Sequence, residues 1–193
     1  MKNVLLALLV FVLGFLVFVQ TRPDTFHVER SASIAAPPDS LYAMMTDFHR
    51  WDGWSPWAKL DPAMKTDYSG PESGVGASYH WTGNDKVGEG RMTLTEVQAP
   101  SHVGIRLEFI KPFAGVSTTN FALAPDAGGT RVTWSMDGKS NFIAKAMCIF
   151  TPMDKMIGPD FERGLGNLKR EGEAAASAPA APADSSTAPA GKS

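Results

Sequence analysis

The chain has 193 residues, 44% hydrophobic and 10% aromatic, enough apolar mass for one ordinary domain with a sizeable core plus appendages. A formal charge of −2 supplies no general basic field and argues against nucleic acid as a partner. The single cysteine, Cys148, excludes an internal disulfide, and its apolar neighbours Ala146, Met147, Ile149 and Phe150 fit a buried structural thiol better than a nucleophile.

Val4 to Val19 carries no charge. The run is slightly shorter than the roughly 20 residues of a spanning helix, but Asn3, Gln20 and Thr21 can extend it into the interface. A cleaved signal peptide is the rival reading. The run ends in Phe18-Val19-Gln20-Thr21-Arg22-Pro23 without a small-residue cleavage site, which favours an uncleaved anchor over residues 1–23. Lys2 and the α-amino group face Arg22 across the segment, so the charge bias is weak. The expectation is a single pass with the domain on the outer side, periplasmic in a bacterium.

Thr25 to Ile34 reads as a first strand in which Phe26 and Val28, then Ala32 and Ile34, are separated by a phase slip at a bulge. Ala35-Ala36-Pro37-Pro38 ends it, and Asp39 or Ser40 starts a short helix with Leu41, Met44, Met45 and Phe48 on one stripe. Trp51, Trp54 and Trp57 follow at steps of three. Pro56 drives Ser55 towards extended geometry, so one helix does not carry all three. They form a large rigid apolar surface whose indole N–H groups need partners. Two uses fit, a plug closing one end of the sheet and an aromatic lip on a ligand pocket, and they are compatible.

From Ala77 onward strand signals alternate with turns. Tyr79 and Trp81 share a face, as do Met92 and Leu94. Val103, Ile105, Leu107 and Phe109 alternate with Gly104, Arg106, Glu108 and Ile110. Thr119, Phe121 and Leu123 precede a strong turn at 124–129, and Val132, Trp134 and Met136 alternate with polar residues beyond it. This is antiparallel meander patterning with one apolar and one wet face. Asn141 to Phe150 is an apolar stretch with helical character.

Met153, Ile157, Phe161, Leu165 and Leu168 then recur at helical spacing over Met153–Arg170, an amphipathic helix able to cover the apolar face of the sheet. Pro159 is expected to kink or split it. Gly164 and Gly166 each cost about 1 kcal/mol against alanine, tolerable where the backbone approaches the sheet closely or leaves room for a ligand. Residues 173–193, mostly Ala, Pro and Ser, lack the mass to fold and are expected to form a disordered tail beyond a domain at 24–172.

His27, His49, His80 and His102 have no partner at metal-ligand spacing, so neither metal nor cofactor is expected. Gly74-Val75-Gly76 and Gly88-Glu89-Gly90 lead into strands and read as turns rather than phosphate loops. Glu89, Arg91, Arg106 and Glu108 lie on the opposite parity from the apolar residues and read as solvent-facing charges. General acid–base chemistry needs a tuned group inside the pocket. On this parity the inward face offers one phenol, Tyr79, and two indoles, which favours binding over catalysis.

The order of elements resembles the helix-grip fold of the SRPBCC (START-like) superfamily from about Phe26 to Arg170. Five phrases fit its polyketide cyclase/dehydrase-type branch: Trp54-Ser55-Pro56-Trp57, the run 76–84, Gly88-Glu89-Gly90-Arg91-Met92, the run 130–136, and Asp160-Phe161-Glu162-Arg163-Gly164 with its continuation to Lys169. The resemblance implies an α+β architecture, an antiparallel sheet wrapped around a long C-terminal helix, with an apolar cavity between them for lipids, polyketides or other hydrophobic molecules.

On this reading the cavity is lined from the sheet by Tyr79, Trp81, Met92, Leu94, Ile105, Leu107, Phe109, Phe121, Trp134 and Met136. Ile157, Phe161 and Leu165 line it from the helix, and Trp54 and Trp57 stand with Tyr79 near the mouth. The first expectation is a membrane-tethered binder of a hydrophobic small molecule or lipid. The second is a cyclase- or dehydratase-like enzyme using Tyr79 or a displaced Glu89. The third is an interaction module whose cavity is filled by its own side chains.

Overall fold

The apolar parity of the strands and the stripe on the last helix can be satisfied together only if sheet and helix cover each other, and the chain folds that way. The computed structural model describes residues 1–178. Helix α1 (Lys2–Gln20) precedes β1 (Thr25–Ile34), and α2 (Pro38–Thr46) begins with its proline in the first turn. A single 3₁₀ turn at Phe48–Arg50 leads into the short α3 (Trp51–Trp54). Strands β2 (Lys65–Ser69), β3 (Ser78–Thr82), β4 (Glu89–Gln98), β5 (His102–Lys111), β6 (Gly115–Asp126) and β7 (Gly129–Lys139) follow, then α4 (Phe142–Phe150) and α5 (Met153–Ser177). The seven strands form one sheet in the order β1-β7-β6-β5-β4-β3-β2, antiparallel throughout. With α5 across one face, this is the α+β helix-grip architecture.

The core lies between that face and α2, α3 and α5. Trp134 stacks on Phe161 of α5 with ring centroids 4.1 Å apart and planes within 9°. Trp54 and Phe121 pack edge-on at 5.9 Å, and both are fully buried. Helix α5 approaches this cluster closely at Gly164, where an added Cβ would lie 2.6 Å from the Trp134 ring and 3.1 Å from Pro56. Gly166 has open space beside it, so close packing does not account for that second glycine.

Several expectations are corrected. Strand β1 pairs with β7 in unbroken register, with no phase slip. Between the two apolar pairs, Arg30 is half-buried on the same face as Val28 and Ile34. It is accommodated there because its guanidinium donates to Asp154 at 2.7 and 3.0 Å and to Glu162 at 2.7 Å, both on α5. Gly158 leaves room for that guanidinium. Strand β2 was not foreseen. It is an edge strand, four of its five residues are exposed, and Tyr68 is its only apolar contribution. Cys148 is half-buried rather than sequestered.

Helix α5 runs as one helix containing Pro159 and continues past Arg170 to Ser177. Glu173, expected in the tail, is in that helix, accepting from the Ala35 backbone N–H at 2.9 Å and from Lys169 at 2.6 Å. The remainder of the expected tail, 179–193, lies outside the described residues.

The Arg30 cluster carries a pH prediction. Its hydrogen bonds hold the Asp154 carboxyl below the ordinary 3.8. A carboxyl depressed in the folded state contributes stability above its unfolded pKa and loses it as pH falls through the folded value. Thermal melts between pH 6 and 2.5 should therefore show a steeper acid-side loss in the native chain than in Arg30→Met, which keeps the apolar stem and removes the charge. Parallel curves would assign the acid sensitivity elsewhere.

Candidate ligand cavity

Between the sheet and α5 lies a partly enclosed cavity of about 280 Å³. At about 30 Å³ per liquid water this is room for roughly nine waters, just under the usual range of small-molecule pockets. Strands β3 to β5 supply Tyr79, Trp81, Met92, Leu107 and Phe109 to its wall. Thr119, Trp134 and Met136 come from β6 and β7, and Ile157, Asp160 and Phe161 from α5. The segment after α3 adds Ser55, Trp57, Ala58 and Met64, with Trp51 before it, and the β3–β4 turn adds Lys86 and Val87.

Local sequence explains how these walls are held. Gly90 lies within β4 rather than in the turn, because any side chain there would collide with the Trp81 ring. Gly88 occupies the turn itself, with φ +64°. Asp61 is buried and accepts from the Ala63 N–H at 3.0 Å and the Asn84 N–H at 2.7 Å. It thereby fastens the 55–64 segment to the β3–β4 turn, and both border the cavity. Asn167 of α5 donates to the Trp54 carbonyl at 3.1 Å, fixing α3 to the helix. The indole N–H of Trp81 donates to Val87 at 3.0 Å and that of Trp51 to Met45 at 3.2 Å.

Of the residues expected to line a cavity, Trp57, Tyr79, Trp81, Met92, Leu107, Phe109, Trp134, Met136, Ile157 and Phe161 border this one. Leu94, Ile105, Phe121 and Leu165 share their parity or stripe but are fully buried in the packed core behind it. Trp54, placed at the mouth by the sequence, is fully buried at the centre of the aromatic cluster, because Trp51, Phe121 and Trp134 surround it. Sequence reasoning missed Trp51, Thr119, Met64, Lys86 and Asp160. Trp51 and Thr119 carried a usable signal, one in the tryptophan run and the other on the inward parity of β6.

The electrostatics are sparse. Burial, with Tyr68 and Asp52 nearby, pushes the Tyr79 phenol up to about 12. Asp160 is tied to Arg163 at 3.0 Å. Glu89 is on the outer face of the sheet, 2.6 Å from Lys111 and 3.5 Å from His80, and these partners hold its carboxyl below the ordinary range. Among the described residues no three His, Cys, Asp or Glu side chains are grouped as a metal site. The wall is mostly apolar and aromatic, with Lys86, Asp160 and a few hydroxyls as its polar groups, and such a wall suits desolvation of a hydrophobic molecule.

A seven-stranded antiparallel sheet packed on a long C-terminal helix, with an aromatic-lined interior, defines a ligand-binding fold of the SRPBCC type. Known proteins agree. The di-domain ARO/CYC BexL from the BE-7585A biosynthetic pathway matches with TM-score 0.54 and 15% identity over 81% of this chain and 53% of its own. The Aha1 dimer from Colwellia psychrerythraea gives 0.52 and 19%, covering 77% and 96% of the two chains. Ara h 8.0201 gives 0.51 and 13%, covering 79% and 97%. Identities this low establish the fold alone. No curated protein matches the sequence. The chain belongs to the Polyketide_cyc2 family, polyketide cyclase/dehydrase and lipid transport, whose model matches residues 25–173. Hydrophobic ligands are common in that family.

Proposed function

We propose that this protein is a membrane-tethered binder of a hydrophobic small molecule or of the apolar part of a lipid. The observation that carries the reading is the cavity of about 280 Å³ walled by aromatic, Met and Leu side chains. Desolvation of a ligand against such a wall gives affinity with little positional specificity. The volume suits a compact ring system or one acyl segment. α1 is the tether on this reading. It is apolar, 19 residues long and almost entirely exposed, and both an anchor and a signal sequence have that character. On this reading the domain lies on the outer side of that membrane, periplasmic in a bacterium.

The cyclase-like reading is the weaker one. A phenol at about 12 stays protonated at neutral pH and is no general base, and Glu89 is on the wrong face of the sheet. The filled-module reading is weakened by the cavity volume.

Native mass spectrometry of residues 24–178, purified without detergent after a cooperative melt has established folding, tests the proposal. A reproducible added mass lost on unfolding is expected and identifies the ligand. A bare mass that persists after incubation with a membrane lipid extract would sink the carrier reading.

A further inference from the structure

Strand alternation collects four features at one end of the sheet. The register pairs Thr82 with Glu89, Glu89 with Lys111, and Phe109 with Gly115, so the β3–β4 and β5–β6 turns share an end. Ser117 pairs with Gly138 and Thr25 with Lys139, which brings the end of β7 and the start of β1 there too. Helix α1 ends at Gln20, a few residues before β1, and α4 starts just after β7, so both emerge at the same end. They pack against each other, and Lys145 of α4 forms an ion pair with Asp24 at the head of β1.

Helix α4 is inside out for a helix in water. Its lysine, Lys145, is 6% exposed, whereas Ile143, Met147 and Phe150, at i, i+4 and i+7, are 49%, 44% and 80% exposed. A helix on a soluble surface shows the opposite order. The β5–β6 turn repeats the pattern, with Ile110, Phe113 and Val116 between 43% and 53% exposed. Exposed large apolar side chains gathered at one end of a domain mark an interaction site. The most exposed cavity-wall residues, Lys86 and Phe109, belong to the same end.

We propose that this apolar collar, α4 together with the β5–β6 turn, docks into the phospholipid interface of the bilayer that α1 crosses. Helix α4 then lies in the plane of the interface with its outer face among the acyl chains. The β3–β4 turn and the end of β5 face the lipid, so the cavity exchanges its ligand directly with the membrane rather than through water. The inference rests on the tether reading of α1. The continuity of the collar with α1 selects a bilayer as its occupant over a second copy or another protein.

The test uses the full chain, reconstituted in phosphatidylcholine/phosphatidylglycerol vesicles on a Cys148→Ser background. Single cysteines introduced by Val10→Cys, Phe113→Cys, Phe150→Cys and Ala127→Cys carry a nitroxide label, and accessibility to oxygen and to a nickel chelate gives depth. All four sites are exposed, so the substitutions leave the core intact, and a thermal melt verifies each variant. Labels at 10, 113 and 150 should be relaxed more by oxygen than by nickel, and the label at 127, on the opposite end of the sheet, more by nickel. If 10 is immersed while 113 and 150 are as wet as 127, the anchor stands and the collar proposal falls. Shielding of 113 and 150 from both agents, with dipolar broadening, means a second copy covers the collar and overturns it equally. A wet label at 10 removes the tether reading and this inference with it, and leaves ligand binding to the mass measurement.

Discussion

Trp134→Ala is expected to destabilise the domain by about 3–5 kcal/mol, the usual range for truncating a fully packed large aromatic. For a domain of this size that is a fall in Tm of about 6–20 °C. Trp134 is 2% exposed, stacks on Phe161, and meets Trp54, Trp57 and Phe121 edge-on or tilted, so its loss undoes the joint between β7 and α5. Trp134→Phe should behave differently. Among the described residues the Trp134 indole N–H is buried with no hydrogen-bond partner, and a buried donor left unmet by protein costs about 1–3 kcal/mol. Phenylalanine removes that cost while keeping most of the stacking, so its net loss should stay under about 1.5 kcal/mol, the level of a tolerated hydrophobic swap. Denaturant melts of the two variants measure the difference. Equal losses would mean that the exact ring shape against Gly164, rather than apolar contact, holds the joint.

Much of that joint was legible in the sequence, because both of its sides are periodic. Phe161, Leu165 and Leu168 fall on one helical stripe, and Phe121, Leu123, Val132, Trp134 and Met136 on one strand parity; all are buried. Arg30 was illegible for a definite reason. A charge at an inward position looks like a broken pattern, and its two partners are 124 and 132 residues away. β2 escaped because an edge strand that turns only Tyr68 towards the core shows no apolar alternation.

The cavity wall was legible only in part. Parity assigns Met92 and Leu94 to the same face, and likewise Leu107 and Ile105, yet only Met92 and Leu107 border the void. Which residue packs and which fronts empty space depends on where α3 and α5 cross the sheet, and a local pattern does not encode that. The exposed apolar side of α4 was equally hidden, since an apolar stretch reads the same whether it faces a core or a bilayer.

Met92→Trp should weaken binding of a hydrophobic fluorescent probe such as 1-anilinonaphthalene-8-sulfonate by about tenfold or more, equivalent to about 1.4 kcal/mol. Met92 stands on β4 between Tyr79 and Leu107 in the ladder, and all three side chains border the cavity. The flexible thioether can give way to a larger ring, and the indole then occupies the space the probe would take. The void is already present, so filling it should leave Tm unchanged within a few degrees, unlike overpacking of a dense core. Met92→Leu conserves volume and should bind as the native chain does, which separates loss of space from loss of the sulfur. Probe titrations on the three proteins decide the matter: undiminished binding by the Trp variant would place the hydrophobic site somewhere other than between the sheet and α5.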